Sequence, residues 1–198
     1  MASRPPSSYV IWEQEIVEGA CALSGLKGYA EDWKLLYGEP VADAFPGKAS
    51  FSMNPDYPHD IALTDSLYNI DMLIVASAAL RGVIEAEAPA QVEYVPVPIY
   101  NHKKRAIQEP YALVHPIDPV DCLVLDACKP TYGKIQKTEI DRVKKLVIDE
   151  ARIPADRLLF RPKGYVRVIL VHRRLADKID AAGLTGMRWV ELHHHPEV

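Results

Sequence analysis

Two segments of the chain, residues 74–97 and residues 169–192, repeat one pattern of hydrophobic and polar positions. The first reads IVASAALRGVIEAEAPAQVEYVPV, and the second, without a gap, reads ILVHRRLADKIDAAGLTGMRWVEL. Unrelated segments of ordinary composition would share about one or two of these positions. Five of the 24 positions are identical, namely Ile74/Ile169, Leu80/Leu175, Ile84/Ile179, Ala86/Ala181 and Val95/Val190. The pattern therefore predicts an internal duplication.

The first copy has the pattern of a strand, a helix and a second strand. The apolar run Met72–Ala76 is typical of a buried strand, and Ser77 follows it where a helix N-cap is expected. Apolar residues then recur at helical spacing until Pro89, which predicts a helix that ends there. Val92–Tyr100 alternates like a strand, and its two prolines favour a position at a sheet edge.

The second copy predicts the same three elements. His172 or Arg173 opens its helix, and Leu175 and Ile179 lie on one helical face. Gly183 stands where a glycine commonly ends a helix in the left-handed conformation, and Met187–Leu192 is the last strand. Tyr94 and Trp189 are equivalent in the repeat, which favours the core for both.

These elements predict an α+β fold with a mixed, largely antiparallel sheet and two similar strand-helix-strand units, at about 72–97 and 167–192. We expect one domain over 1–198, with residues 1–8 loose, a loop-rich part at 9–60 and a repeat-containing core at 70–192. The other predicted strands are Tyr9–Ile16, Trp33–Tyr37, Ser50–Met53, Tyr111–His115, Asp121–Asp126, residues 143–148, and a hairpin of residues 157–161 with residues 165–171.

Composition indicates an ordinary globular protein. Of the 198 residues, 48% are hydrophobic and 25% are charged. The longest apolar run, Met72–Leu80, is far too short to cross a bilayer, and the N-terminus MASRPPSSYV lacks a signal-peptide core. The expected compartment is therefore the cytoplasm. Cys21, Cys122 and Cys128 form no CxxC pair, which favours reduced structural thiols.

The net charge of −4 is unevenly divided along the chain. Residues 1–99 hold 5 Lys and Arg against 14 Asp and Glu, and residues 100–198 hold 18 against 13. Such a division indicates either a polarised surface that meets a charged partner or two solvated faces whose charges balance. An isoelectric point near 6.0 argues against nucleic acid as the partner.

Four sequence segments together resemble a family of bacterial immunity proteins from polymorphic toxin systems. This is the myxobacterial-type family, formerly known as a domain of unknown function. They are the first repeat with VEYVPVPI, then YALVHPIDPVDCLVL, then KLVIDEARIPADRLLFR, and the terminal repeat. The resemblance covers residues 70–192 well and residues 30–60 more loosely, through YGEPVADAFP. It implies a protein that binds and neutralises a cognate toxin. The chain departs from the family at His172, where a serine is frequent, and it lacks the paired CxxC motifs of some relatives.

Several side-chain groups suggest chemistry, and each also has a structural interpretation. His193–His195 with Glu197 resembles a metal-binding tract or a solvated tail. Lys103–Arg105 suits phosphate or an exposed hairpin tip. A thiol nucleophile is suggested by His115 and Asp118 with Cys122 or Cys128, and core packing is the alternative. A carboxylate site is suggested by Asp118, Asp121 and Asp126, and the alternative is that they are turn residues. Ser77 suggests either a nucleophile or a helix cap.

In each case the structural interpretation is favoured, so we assign no catalytic, cofactor or metal residue. The leading hypothesis is a non-enzymatic immunity protein that occludes a cognate toxin, with neither nucleic acid nor membrane as a partner. One alternative is a small hydrolase or transferase with a dispersed site in a deep pocket. Another is a homo-oligomeric structural or regulatory module that pairs through the edge strand at residues 92–100.

Overall fold

The computed structural model describes residues 7–134 and 139–195. Four α-helices occur in this part of the chain, and they are α1 Trp33–Tyr37, α2 Ala78–Ala86, α3 Leu125–Cys128 and α4 Arg173–Ala181. The strands of the same part are β1 Tyr9–Gln14, β2 Ala22–Leu23, β3 Phe51–Ser52, β4 Tyr68–Asn69, β5 Ile74–Ser77, β6 Val92–Pro96, β7 Ile99–Tyr100, β8 Tyr111–Pro116, β9 Thr131–Tyr132, β10 Ile140–Arg142, β11 Leu159–Phe160, β12 Leu170–His172 and β13 Met187–Val190.

The first repeat folds as predicted into strand β5, helix α2 and strand β6. These two strands do not pair with each other, because β8 lies between them and is antiparallel to both. Val114 of β8 stands opposite Ile74 on one side and Tyr94 on the other. Since β5 and β6 are each antiparallel to β8, they run parallel, which is the arrangement of a split βαβ unit. Strand β6 lies at the sheet edge, as its prolines predict.

The second repeat has the same architecture, with β12, α4 and β13 around an inserted strand. That strand is β1, whose Ile11 stands opposite Leu170 and Val190. Strand β11 adds a fourth strand beside β12. The α+β fold with two similar units is therefore confirmed. Each unit has its own sheet, however. In each unit an inserted strand, and not a strand of the other unit, pairs with the first and the last strand of the repeat.

The two inserted strands are themselves equivalent. Tyr111 of β8 stands opposite Ser77, and Tyr9 of β1 stands opposite His172, the matching repeat position. Both tyrosine hydroxyls donate to a backbone carbonyl: Tyr111 to Thr64 at 2.8 Å and Tyr9 to Arg157 at 3.3 Å. The duplication thus extends to a third strand, which follows the repeat in the first unit and comes from the N-terminus in the second.

The helix boundaries agree with the predicted caps. The Ser77 hydroxyl accepts a hydrogen bond from the Leu80 N–H at 3.2 Å. At the equivalent position, Nδ1 of His172 accepts from the Arg174 N–H at 3.1 Å, so the imidazole replaces the serine hydroxyl. Gly183 follows α4 with φ of 67°, the left-handed conformation that glycine adopts without strain.

The core has three clusters, and one is shared by both units. Helices α2 and α4 pack against each other, and their inner residues join the facing sides of both sheets. Tyr94 and Trp189 pack against this shared cluster, as predicted. Two further clusters cover the outer faces of the sheets, one with residues 21–53 and the other with residues 120–168. These outer layers consist mainly of loops and short elements.

Three strand predictions in the outer layers were wrong. Residues Trp33–Tyr37 form helix α1, which buries Leu35 and stops at Gly38, where φ is 66°. Asp121–Asp126 contains no strand, because the chain turns into helix α3, from which the Cys128 thiol donates to the Val147 carbonyl at 3.2 Å. Residues 143–148 form only an isolated bridge, Ile148 with Leu123. In each case the segment contacts residues that lie outside it in the chain, and the local pattern does not reveal those contacts.

The hairpin of residues 157–161 and 165–171 was predicted correctly in part. Leu159 and Phe160 pair with Val171 and Leu170 in antiparallel register. Residues 165–168 instead form a turn, closed by a hydrogen bond from the Val168 N–H to the Tyr165 carbonyl at 3.5 Å. Because residues 165–168 leave the strand, the side of β1 that faces β12 is uncovered near the C-terminal end of β1.

Candidate functional site

Strand β1 has an uncovered side near its C-terminal end. Its last hydrogen bond towards β12 joins the Trp12 N–H to the Ile169 carbonyl at 2.9 Å. On its other side the chain stays bound to the end of β13 as far as Glu15, whose N–H donates to the Gly186 carbonyl at 3.2 Å. Because residues 165–168 turn away, no strand in residues 7–134 or 139–195 pairs with Gln14 on the β12 side. Such an edge can accept an added strand.

A groove of about 910 Å³ lies at this edge. Its walls come from residues 11–16, residues 68–74 and residues 167–169. The last two walls include equivalent positions of the repeat, since residues 72–74 correspond to residues 167–169. The groove therefore forms where the first strands of both units begin, beside the N-terminal strand β1.

Exposed apolar side chains gather at the rim of the groove. Ile16 is 80% exposed, Ile70 is 64% exposed and Met72 is 40% exposed. Ile70 and Met72 also line an adjoining hollow of about 270 Å³, together with Leu26, Leu36, Leu73, Asp32, Asp71 and Trp33, which is 46% exposed. Exposed apolar patches rimmed by polar residues are typical of surfaces that bind another protein.

Hydrogen bonds fix the wall formed by residues 69–73. The Gln14 side chain accepts from the Asn69 N–H at 2.8 Å and donates to the Leu73 carbonyl at 3.1 Å. The buried Asn69 side chain donates to the same carbonyl at 2.7 Å and accepts from the Leu73 N–H at 3.0 Å. These bonds hold β1 and the loop in one arrangement, so the groove is preformed.

Arg161 connects two walls of the groove from beneath. Its guanidinium donates to the Met72 carbonyl at 3.2 Å and to the Val166 carbonyl at 2.5 Å. The side chain is fully buried, and burial lowers its pKa to about 10. Within the described part of the chain it has no carboxylate partner, and its Nε has no hydrogen-bond partner. Arg161 therefore holds the starts of both units together through backbone oxygens.

The charges on the groove are partly paired. Glu13 and Arg188 form an ion pair across β1 and β13. Glu15 and Arg167 also line the groove, and neither forms an ion pair among residues 7–134 and 139–195. Asp71 accepts a hydrogen bond from the Leu26 N–H at 2.6 Å, whereas Asp32 makes no capping bond to α1. Carboxylates thus predominate on the side of the hollow.

The residues proposed for a thiol nucleophile do not form a site. Cys21, Cys122 and Cys128 are free and buried, and burial raises the pKa of the Cys122 thiol to about 12. The His115 ring is hydrogen-bonded through Nε2 to the Glu39 carbonyl at 2.8 Å. Burial lowers its pKa. A thiol with this pKa is protonated at neutral pH and is a poor nucleophile.

The other candidate groups are dispersed. Asp118 contacts Arg157, and Asp121 pairs with Arg152 at 2.8 Å. Ser77 is occupied by its cap and by a hydrogen bond to Asp65 at 2.7 Å. No group of three His, Cys, Asp or Glu able to hold a metal occurs in the described residues.

The basic tract and the histidine tract both have local partners. Lys103–Arg105 lies in an exposed turn, where the Asn101 side chain accepts from the Lys103 and Arg105 N–H groups. His195 contacts the Tyr165 hydroxyl at 2.9 Å, and the rings of His193 and His194 lie 4.0 Å apart. Glu197, proposed with this tract, lies outside the described residues.

Sequence reasoning missed the groove because its parts are far apart in the chain. Ile16, Trp33 and Ile70 come from three separate segments, and each segment alone has the pattern of a loop or a strand end. The available signal was the presence of large apolar residues, such as Ile16, Ile61 and Ile70, in loop-rich stretches. A search of the sequence against protein-family models and curated proteins found no match. None of the described helices has the length and apolarity needed to span a membrane.

Proposed function

We propose that this chain is a binding protein that uses the groove to hold another protein, and that it acts as an immunity protein against a cognate bacterial toxin. The observation that carries the binding function is the set of exposed side chains Ile16, Ile70 and Met72 on one preformed groove beside an open strand edge. The resemblance of the repeat-containing core to toxin immunity proteins supports the choice of partner.

Neutralisation follows from covering the toxin surface. A stable complex of this kind buries about 1,200–2,000 Å² of surface in total, so the interface extends beyond the groove. The groove and hollow then form the centre of the interface, since methionine and aromatic side chains are enriched in interface centres. Because the walls are fixed by Gln14, Asn69 and Arg161, little conformational entropy is lost on binding.

The proposal is tested with any toxin that a gene adjacent to the gene for this chain encodes. Co-expression is expected to rescue cells that produce the toxin, and the purified proteins are expected to form a complex of one to one. Ile70→Glu places a charge at the centre of the interface and is expected to weaken binding at least thirtyfold, for a loss of about 2 kcal/mol.

Ile61→Glu is the matched control, since Ile61 is 61% exposed and does not line the groove. We expect its affinity to stay within about twofold of the parent protein, because substitutions outside an interface change little. Absence of a complex with the toxin would refute the toxin as partner. Equal affinities of the two variants would refute the groove as the binding surface.

A further inference from the structure

The hollow beside the groove has the form of a receptor for one long side chain. The hollow has a volume of about 270 Å³ and is open to solvent, and its apolar lining comes from Leu26, Leu36, Ile70, Met72, Leu73 and Trp33. Two carboxylates, Asp32 and Asp71, complete its lining. An apolar lining that also includes carboxylates suits a side chain that has a hydrocarbon stem and a cationic end.

Both carboxylates can accept further hydrogen bonds. Asp32 precedes α1 but makes no side-chain bond to it. Asp71 has one oxygen bound to the Leu26 N–H, and its second oxygen has no hydrogen bond to any described residue. No cation of the chain forms an ion pair with either group within the described residues. The hollow thus presents acceptors that the fold itself does not use.

The combined charge of the groove and hollow is negative. Apart from the Glu13–Arg188 pair, the described residues that line the groove and hollow include three carboxylates, Glu15, Asp32 and Asp71, and one arginine or lysine, Arg167. Trp33 adds the negative face of an indole, and Lys34 already lies 5.8 Å from its ring centroid. Lys34 is engaged with Glu31 at 2.9 Å, so it leaves the carboxylates of the hollow unpaired.

We infer that the hollow binds an arginine or lysine side chain of the partner, carried on a segment that lies in the groove. This inference rests on the proposed function and specifies its partner as a protein with a basic, partly apolar segment. The stem of the side chain contacts Leu36 and Ile70, the cationic end reaches Asp32 and Asp71, and the indole of Trp33 lies beside it. The acidic first half of the chain then attracts the partner from a distance.

The inference can be tested without the toxin, by using N-acetyl-arginine amide as the probe. Binding is followed by NMR on the indole N–H of Trp33, with the indole of Trp189, which lines neither the groove nor the hollow, as internal reference. We expect saturable binding in the millimolar range, since one side chain supplies few contacts. The citrulline analogue, which has the same shape but no charge, is expected to bind at least fivefold more weakly.

Asp32→Asn is the test variant, and Asp43→Asn is its control because Asp43 is also exposed and lies outside the hollow. Asp32→Asn is expected to weaken arginine binding about fivefold, and Asp43→Asn is expected to leave it unchanged. Equal binding of the arginine and citrulline probes, or the absence of a saturable change at Trp33, would overturn the inference.

The toxin complex provides the second measurement. Asp32→Lys is expected to weaken the complex about tenfold or more, and Asp43→Lys is expected to have less than a threefold effect, since a charge reversed at the rim alters mainly long-range attraction. A complex that forms normally with Asp32→Lys would overturn the basic anchor and leave the immunity function standing. Failure of the unmodified chain to bind the toxin would instead overturn the proposed function.

Discussion

Arg161 shows how a single buried residue organises the groove. A guanidinium in the interior without a carboxylate has a large desolvation cost, and in the part of the chain that the structure describes, only backbone carbonyls offset it. Those carbonyls belong to Met72 and Val166, which lead into the first strands of the two units. The residue therefore stabilises the position of one unit on the other, at the point where the groove opens.

Substitution of Arg161 tests this role. Arg161→Ala is expected to lower the free energy of unfolding by about 3–5 kcal/mol, because it leaves a cavity and removes the donors to the buried Val166 carbonyl and the part-buried Met72 carbonyl. Arg161→Met restores most of the volume but not the hydrogen bonds, so its expected loss is smaller, about 1–3 kcal/mol. Urea unfolding measures both. If Arg161→Met were as stable as the parent protein, the hydrogen bonds to the two loops would have no net effect.

Helices α2 and α4 are equivalent elements with chemically different caps. Burial lowers the pKa of His172, and the charge of Arg174 lowers it further, while Glu150 and Asp177 partly oppose this. Neutral His172 accepts the Arg174 N–H, whereas protonated Nδ1 cannot. Ser77 caps α2 without titrating. One of the two units therefore has a pH-dependent helix start.

The expected result is a loss of stability in acid that His172→Ser removes. Because the folded pKa lies below the usual 6.5, the unfolded chain binds the proton first as the pH falls. The contribution is therefore complete above about pH 7 and is lost between 6.5 and the lower folded pKa. At pH 5 we expect His172→Ser to be more stable than the parent protein by about 0.5–1 kcal/mol, and at pH 8 nearly equal to it.

Unfolding curves at the two pH values measure this difference. His115 also has a lowered pKa, but it is present in both proteins and cancels in the comparison. If the parent protein and His172→Ser were as nearly equal in stability at pH 5 as at pH 8, His172 would not titrate in this window.

The elements that sequence reasoning predicted correctly are those fixed by local signals. Ser77, Gly183 and the prolines of β6 act within one turn or one strand, so their effects follow from the residues nearby. Trp33–Tyr37 was assigned wrongly because five residues of mixed pattern suit either a short helix or a strand. There the burial of Leu35 decides the conformation, and that contact is with residues distant in sequence.

The inserted strands and the groove could not be predicted in the same way. Strand β1 is more than 150 residues from either strand with which it pairs, and its equivalence to β8 follows from the opposed pairs Tyr9–His172 and Tyr111–Ser77. An ungapped comparison of repeats cannot find a strand whose position in the chain order differs. The groove depends on this same pairing, since it lies beside the uncovered end of β1.

At the scale of the whole molecule, the chain order differs from the spatial order of the two units. In the first unit the inserted strand β8 follows β6, while in the second unit β1 is supplied by the N-terminus. Arg173 connects segments near both limits of the described residues, since it donates to the Ser7 carbonyl at 2.6 Å and to the Glu191 carboxylate at 2.6 Å. Joining the termini would therefore give both units the same strand order.

A circular permutant tests whether β1 belongs to the second unit regardless of its place in the chain. The permutant begins at Glu18 and runs to Val198. Val198 is joined directly to Met1, and the chain then continues to Val17, which is the new C-terminus. The opening lies in an exposed turn closed by the Ala20 N–H and the Val17 carbonyl, where new ends are tolerated. Since β1 is antiparallel to β13, with Ile11 opposite Val190, the new connection makes a hairpin like that between β6 and β8.

We expect this permutant to unfold in one cooperative transition with the same urea dependence, and with a stability within about 2 kcal/mol of the parent protein, because only a surface connection has changed. The control permutant opens between Leu113 and Val114, inside the strand that completes the first unit, and it is expected not to fold. The groove keeps its walls in the first permutant, so partner binding is expected to persist as well. If opening the chain at Val17 were as damaging as opening it within β8, the N-terminal position of β1 would itself be needed, and the two units would not be structurally interchangeable.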